Sequence, residues 1–263
     1  MKSSFYIIAV ALILAATVNA KDADASEIVA QSYPISSVLE LKAGGGVEVD
    51  IIQGDSESLR VETTPELMKR VKVDLTGRKL TLGLKSDSGN FFHWFDNNNE
   101  HVKFILHIKQ LNLLDLSGAA QANVSNFRGG KLAVKNSGAA QAYFADLRVN
   151  DLDIESSGAA NTEIQNLQGQ TFNVELSGAS NFHLKKSGAA GQLTVEASGA
   201  SGFHGKSLHV STGDLRASGA SNIEVRATEK LKANASGASN INYYGSAKVI
   251  SDSSGASHIN GHE

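Results

Sequence analysis

Three glutamates recur at nearly equal spacing in the second half of the sequence. Glu155, Glu175 and Glu196 lie 20 and 21 residues apart, and each stands two residues before a Ser-Gly-Ala tripeptide. If the repeats stack as strands, the carboxylates form one column about 5 Å apart and repel one another unless cations compensate. Calcium prefers oxygen ligands of this type. The pattern therefore predicts a weak calcium site, and the alternative is a solvated charge column flanked by Lys135 and Arg216.

A second series of polar side chains stands six residues after the same tripeptides. It places two imidazoles, His183 and His204, between the carboxylates of Glu163 and Glu224. Imidazole and carboxylate are ligands of transition metals such as zinc. A tetrahedral site needs ligands that converge on one point, whereas a column is linear. Paired surface side chains without a metal are therefore the favoured interpretation.

The third candidate is the aromatic segment Phe91–Phe95, which contains the only tryptophan of the chain and precedes three asparagines. Phe92, Trp94 and Phe95 could form a contact loop for a ligand, because binding residues are often carried by loops. They could equally cover the end of a stack of strands as an apolar plug. The plug is the favoured interpretation.

The sequence lacks the residues that several enzyme classes require. It contains no cysteine, so it predicts neither a thiol nucleophile nor a disulfide nor a lipid anchor attached to cysteine. A Gly-x-Ser-x-Gly element between strand and helix and a phosphate-binding glycine loop are also absent. No catalytic residue and no cofactor are predicted, apart from the weak calcium site.

All of these positions are set by one repeat, the tripeptide Ser-Gly-Ala. A self-similar period near twenty residues is the signature of a solenoid, in which each repeat forms one rung. The successive spacings are 20, 20, 20, 21, 20, 18 and 18 residues, and an extra copy occurs at Ser187. The eight regular copies begin at Ser117, Ser137, Ser157, Ser177, Ser198, Ser218, Ser236 and Ser254.

Residues on both sides of each tripeptide alternate between apolar and polar, as in a strand with one buried face. Phe182, Phe203, Ile223 and Ile241 share one apolar position and are expected to stack inside. Glycine reaches positive φ without a steric clash and can turn the chain sharply on every rung. The sequence thus predicts an all-β fold, a parallel β-solenoid (β-helix) of about eight rungs.

The repeats occupy residues 113–263, and three further segments precede them. Residues 1–20 have the charged start, apolar run and small-residue end of a signal peptide, and residues 21–36 are assigned to a leader. Residues 37–112 alternate in polarity and predict a β region that caps or begins the solenoid, because an open end exposes unpaired strand edges. Within it, Pro65 favours a short helical turn near Thr64–Arg70.

The composition of the chain limits the partners and the cellular compartments that are expected. The net charge is −3, and removal of the signal peptide leaves 23 basic against 27 acidic residues without a clustered basic face, so a nucleic-acid partner is not expected. No stretch after the signal peptide is long and apolar enough to predict a membrane span. The mature chain is expected to be exported and to be periplasmic, secreted or surface-associated.

The order of these features resembles the head GIN domain family, described as auto-transporter adhesins. The resemblance covers nearly all of the mature chain. It is carried by the strand Val102–Ile108, the phrase Leu113–Ala120, and the Ser-Gly-Ala-Ser-Asn copies at Ser177, Ser218 and Ser236. It implies a β-helix-like solenoid and an extracytoplasmic, adhesive role, and it supplies no catalytic residues.

The favoured function is non-enzymatic, adhesin-like binding of a protein or glycan at the cell envelope or surface. One alternative is a carbohydrate-active lyase or hydrolase, because β-helices commonly carry such activities. The near-constant repeat length argues against it, since a catalytic cleft would need long loops between rungs. A purely structural envelope protein is the other alternative.

Overall fold

Every regular Ser-Gly-Ala tripeptide forms a sharp corner of the chain. In the computed structural model, which describes residues 27–85 and 101–262, each tripeptide glycine has φ between +72° and +77°. Residues with a side chain rarely adopt this left-handed conformation, which explains the glycine at every corner. The eight corner glycines are Gly118, Gly138, Gly158, Gly178, Gly199, Gly219, Gly237 and Gly255.

Hydrogen bonds join each corner to the corner of the preceding rung. The Ala139 N–H donates to the Gly118 carbonyl at 2.7 Å, and the same bond recurs up to Ala256 and Gly237 at 2.8 Å. In the later rungs a buried serine closes the corner as well. The Ser180 hydroxyl donates to the Ser177 carbonyl at 2.9 Å and can also donate to the Ser156 carbonyl at 3.1 Å. The buried corner serine thus finds its hydrogen-bond partners within the solenoid.

Parallel strands connect the corners and stack in register into the predicted parallel β-solenoid of about eight turns. The prediction of an all-β solenoid is confirmed. Its strands are β8 (Leu113–Gly118), β9 (Gln121–Asn136), β10 (Gln141–Ser156), β11 (Asn161–Gln168), β12 (Thr171–Leu176), β13 (Asn181–Ala197), β14 (Gly202–Ala217), β15 (Asn222–Ala235), β16 (Asn240–Tyr244), β17 (Lys248–Ser253) and β18 (His258–His262).

The core consists of side chains stacked rung upon rung. Phe182 pairs with Phe203, Phe203 with Ile223 and Ile223 with Ile241, and all four are at most 1% exposed. The two phenylalanine rings are parallel, with centroids 4.7 Å apart. The predicted internal stack is confirmed, since equivalent positions on adjacent rungs are neighbours in space.

The region before the repeats closes one end of the solenoid. Its strands are β1 (Val29–Tyr33), β2 (Glu40–Gly45), β3 (Val47–Gln53), β4 (Ser58–Thr63), β5 (Val71–Thr76), β6 (Lys79–Leu84) and β7 (Val102–Ile108), with the helix α1 (Pro65–Met68) after β4. Strands β4 and β5 pair antiparallel with β7 and β6, and β1 pairs antiparallel with β4. Antiparallel strands thus cover the edge that the first parallel rung would expose.

This region also supplies solenoid rungs, but not in chain order. Strands β2 and β3 lie between the β6–β7 rung and the first repeat, in parallel register with both. Gly44 and Gly45 pair with Ser117 and Gly118, and Gly45 has φ +89°. The glycine triplet at 44–46 is therefore a degenerate solenoid corner.

Three local predictions have distinct outcomes. The helical turn is present as α1, which begins at Pro65 and is capped by the Thr64 side chain. The segment 21–36 assigned to a leader contains a strand, because Val29–Tyr33 forms β1. The extra tripeptide at Ser187 is no corner: it lies within β13, where the register shifts and Gly188 packs against Leu184 and Leu208.

The signal peptide at 1–20 lies outside the described residues and stays a prediction. No helix in the described part of the chain has the length and apolarity needed to cross a bilayer.

Replacement of a corner glycine tests the role of the corner. A Cβ at Gly178 would lie 2.7 Å from the Gly158 carbonyl oxygen, which the Ala179 N–H holds in place. We expect Gly178→Ala to lower the free energy of unfolding by about 2 kcal/mol or more, because backbone strain and a steric clash act together. Chemical denaturation measures the loss.

Two other glycines separate these causes. Gly77 has φ +63° but no atom within 4 Å of its added Cβ, and Gly54 has neither constraint. Gly77→Ala should lower the free energy of unfolding by about 1 kcal/mol, and Gly54→Ala should leave it nearly unchanged. Equal losses at Gly178 and Gly77 would contradict the steric part of the explanation.

Candidate binding surface

The three glutamates stand in one column along an open groove beside the corners. Glu155 pairs in register with Glu175, and Glu175 with Glu196, on adjacent rungs. The groove runs from Asp115 to Ser254 with a volume of about 800 Å³ and is lined by the column and by the corner serines. We call it the corner groove. The predicted column exists because parallel register places equivalent residues side by side.

The ends of the acidic triplet are neutralised by cations on the neighbouring rungs. Lys135 Nζ lies 2.7 Å from a Glu155 carboxylate oxygen, and Arg216 forms an ion pair with Glu196. The hydrogen bond to Glu155 raises the pKa of Lys135. Among the described residues no cation lies within ion-pair distance of Glu175. Within the acidic triplet, the uncompensated negative charge is therefore centred on Glu175.

This geometry bears on the calcium prediction without testing it. The described residues contain no group of three acidic or imidazole side chains placed to hold a metal ion together. The carboxylates follow one another along the groove, and two of the three already bind a cationic side chain. Calcium binding at Glu155, Glu175 and Glu196 stays a prediction.

The histidine column has its two rings stacked. His183 and His204 are parallel, with centroids 4.6 Å apart. The flanking carboxylates bind other partners as well: Glu163 accepts a hydrogen bond from Gln165 and pairs with Lys185 at 3.3 Å, and Glu224 lies 3.6 Å from His204 Nδ1. Burial lowers the pKa of His183, positive charge on His204 and Lys185 lowers it further, and Glu163 opposes them.

One polar cluster on the same outer face escaped the sequence analysis. The Tyr244 ring stacks on His262 at 4.8 Å, Lys206 Nζ lies 4.4 Å from the ring centroid, and the Arg226 guanidinium lies 5.8 Å from it. These are cation–π distances. Parallel register pairs Arg226 with Tyr244 and Tyr244 with His262, whereas Lys206 lies where the register between β14 and β15 shifts. When the repeats are aligned on the tripeptide, one column contains Lys206, Arg226, Tyr244 and His262. This shared position was the signal in the sequence that could have revealed the cluster.

The aromatic candidates Phe92, Trp94 and Phe95 fall in residues 86–100, outside the described residues. The flanking strands β6 and β7 pair with β5 and β4 of the antiparallel cap. Whether the aromatic residues bind a ligand or cover the cap stays a prediction.

Stacked rungs, a corner groove and side chains that repeat in columns define a β-solenoid protein with extended outer faces. Residues 39–247 match the family described as "Putative auto-transporter adhesin, head GIN domain". The match covers most of the chain, and the protein belongs to this family. The resemblance noted from the sequence is confirmed. No curated protein matches the chain.

Solved structures share the whole fold at low sequence identity. A "putative adhesin" from Parabacteroides distasonis is 22% identical with a TM-score of 0.79, and the match covers 90% of this chain and 97% of that one. A "putative adhesin" from Parabacteroides merdae is 21% identical, with the same TM-score and coverage. A "putative lipid binding protein" from Parabacteroides distasonis is 20% identical with a TM-score of 0.72, over 90% and 98% of the two chains. These likenesses show the fold.

Calcium titration tests the acidic column. If calcium binds, isothermal titration at millimolar calcium should release or absorb heat, and Glu175→Gln should remove it, because Glu175 carries the uncompensated charge. Asp252→Gln, at the far end of the same groove, is the matched control and should leave the heat unchanged. Absence of heat with the unaltered protein at millimolar calcium dismisses the site.

The lowered pKa of His183 predicts an acid-sensitive contribution to stability. The unfolded chain takes up this proton near pH 6.5, whereas the folded protein takes it up only at lower pH. The contribution is therefore fully present above pH 6.5 and decreases as the pH falls through that value. When the pH is lowered from 7.5 to 5.5, the melting temperature of His183→Gln should fall by less than that of the unaltered protein. The control is His209→Gln, which replaces an exposed histidine on β14. If the melting temperature of this control falls equally little, the assignment to His183 is contradicted.

Proposed function

We propose that this protein is a non-enzymatic binding protein of the cell envelope or surface, exported by its N-terminal signal, that attaches to a protein or glycan as adhesins do. Family membership supports an adhesin-like role. The proposal concerns contact over a wide face, where many weak interactions add up.

The observation that carries the proposal is the uninterrupted outer surface of the solenoid. Between Leu113 and His262, no more than four residues separate consecutive strands. Side chains on the outer faces therefore lie in regular columns, and the corner groove crosses every repeat instead of ending in a pocket. A long surface of this kind can contact an extended partner at several equivalent positions.

The same observation argues against the alternative of a carbohydrate-active enzyme. A glycosidase or lyase needs an acid and a base held around one bond, with pKa values adjusted by their surroundings. The groove carboxylates Glu155, Glu175 and Glu196 are exposed, and their neighbours are equivalent side chains of adjacent rungs. A purely structural envelope role remains the alternative that binding experiments must separate from adhesion.

A glycan array and adhesion to immobilised envelope extracts test the proposal with the mature protein. We expect saturable binding, together with no release of reducing ends from any polysaccharide in a broad screen. Detectable polysaccharide cleavage would overturn the non-enzymatic function. Absence of binding to every glycan and extract would favour the structural role instead.

Within this test, the combined replacement of Phe92, Trp94 and Phe95 by alanine examines the aromatic segment. If the segment contacts the partner, adhesion should fall at least about tenfold while the melting temperature stays unchanged. A large drop in melting temperature would instead identify the residues as part of the cap. Replacement of Phe91 alone provides a milder comparison within the same run.

A further inference from the structure

The outer face formed by the strand segments that follow the corners carries cations without acidic partners. Within the described residues, Lys186, Lys206 and Arg226 have no carboxylate at ion-pair distance, although Lys206 and Arg226 lie close to Tyr244. His183 and His204 lie on the same face in adjacent rungs. We call this surface, on β13 to β18, the basic face.

The other outer face, formed by the strand segments before the corners, has an acidic stretch around the corner groove and carries Lys230, Lys232 and Lys248 on later rungs. It carries Glu155, Glu175 and Glu196 in the corner groove, together with Asp153 and Asp214 beside them. The chain as a whole has a net charge of −3. An anionic partner is therefore repelled along the acidic triplet and attracted to Lys186, Lys206 and Arg226, although Glu224 beside His204 opposes part of this attraction.

Two rows of side-chain amides share the basic face with these cations. Asn222 pairs with Asn240 on the next rung, and Asn260 donates a hydrogen bond to Asn242 at 3.3 Å. An amide both donates and accepts hydrogen bonds, so a row of amides matches sugar hydroxyl groups. A lipid surface would gain little from such rows, since it presents anionic headgroups to cations alone.

We propose that the basic face binds an acidic polysaccharide, a chain of uronic acids whose carboxylates meet Lys206, Arg226 and the histidine pair and whose hydroxyl groups meet the amide rows. The strand spacing of about 4.8 Å repeats these contacts along the solenoid axis. This inference rests on the proposed function and names the chemical class of its ligand.

Binding of polygalacturonate to the full mature protein at pH 7.5, in low and in high salt, tests the inference. We expect saturable binding that weakens as the salt concentration rises, because salt screens the attraction between the cations and the uronate carboxylates. The neutral polysaccharide dextran should not bind. Equal binding of dextran, or no binding of polygalacturonate in low salt, would overturn the inference.

Two variants locate the site. Lys206→Gln/Arg226→Gln should weaken binding about tenfold, since two cations are lost. His183→Ala/His204→Ala should weaken binding about threefold, since two hydrogen-bond donors to the uronate carboxylates are lost. The second variant keeps the Tyr244 cluster intact, so the test remains decisive if the first variant is poorly folded.

Lys230→Gln/Lys248→Gln removes two exposed lysines from the strands before the corners, with the same change of net charge. An equal loss of affinity in this control would contradict the assignment to the basic face. Binding to phosphatidylglycerol vesicles without binding to polygalacturonate would replace the polysaccharide by a lipid surface and overturn the inference. If the basic-face variants keep full adhesion to envelope extracts, the proposed function stands and this inference is wrong.

Discussion

The corner glycine is the constraint on which the structure depends. A residue with a side chain at Gly158, Gly178 or Gly199 would have to adopt a left-handed backbone conformation. Its Cβ would also lie only 2.5 to 2.7 Å from the carbonyl oxygen of the previous corner. The close approach allows every corner to accept the N–H of the next one at 2.7 to 2.8 Å. Since each corner is built on the one before it, strands leave all corners in the same direction, and parallel register follows without further specification.

Parallel register places equivalent sequence positions in columns of neighbouring side chains. Residues of one type in a column therefore interact with one another on every rung. Apolar side chains gain from this, as with the stacked rings of Phe182 and Phe203. Amides can bond from rung to rung, as Asn242 and Asn260 do. Like charges in one column repel one another. Lys135 and Arg216 accordingly form ion pairs with the two outer glutamates of the acidic column. The outer faces therefore acquire their charge pattern from a few residues at repeated positions.

The sequence predicted the parts of the fold that repeat and missed those that do not. The corners, the stack of Phe182, Phe203, Ile223 and Ile241, and the acidic column follow from alignment on one tripeptide. The insertion of β2 and β3 between β6–β7 and the first repeat has no periodic signal, because Gly44–Gly46 lacks the serine and alanine of a regular corner. At the binding surface, the spacing of the repeats indicates which residues share a column. The contact of Lys206 with Tyr244 also depends on the register shift between β14 and β15, which the spacing does not reveal.

Identical corners cannot by themselves determine which rung lies beside which, so the exceptions to the repeat must do so. Asn136 and Thr162 are both buried, and the Asn136 amide donates a hydrogen bond to the Thr162 hydroxyl at 2.8 Å. At the position of Asn136 the neighbouring rungs carry Leu116 and the small Ser156, and at the position of Thr162 they carry Ala142 and Phe182. A slip by one rung would separate the Asn136 amide from the Thr162 hydroxyl and leave both groups buried without this partner, at a cost of about 1–3 kcal/mol for each. A buried polar pair can therefore fix the order of rungs that the corners leave equivalent, as a polar residue fixes register in a coiled coil.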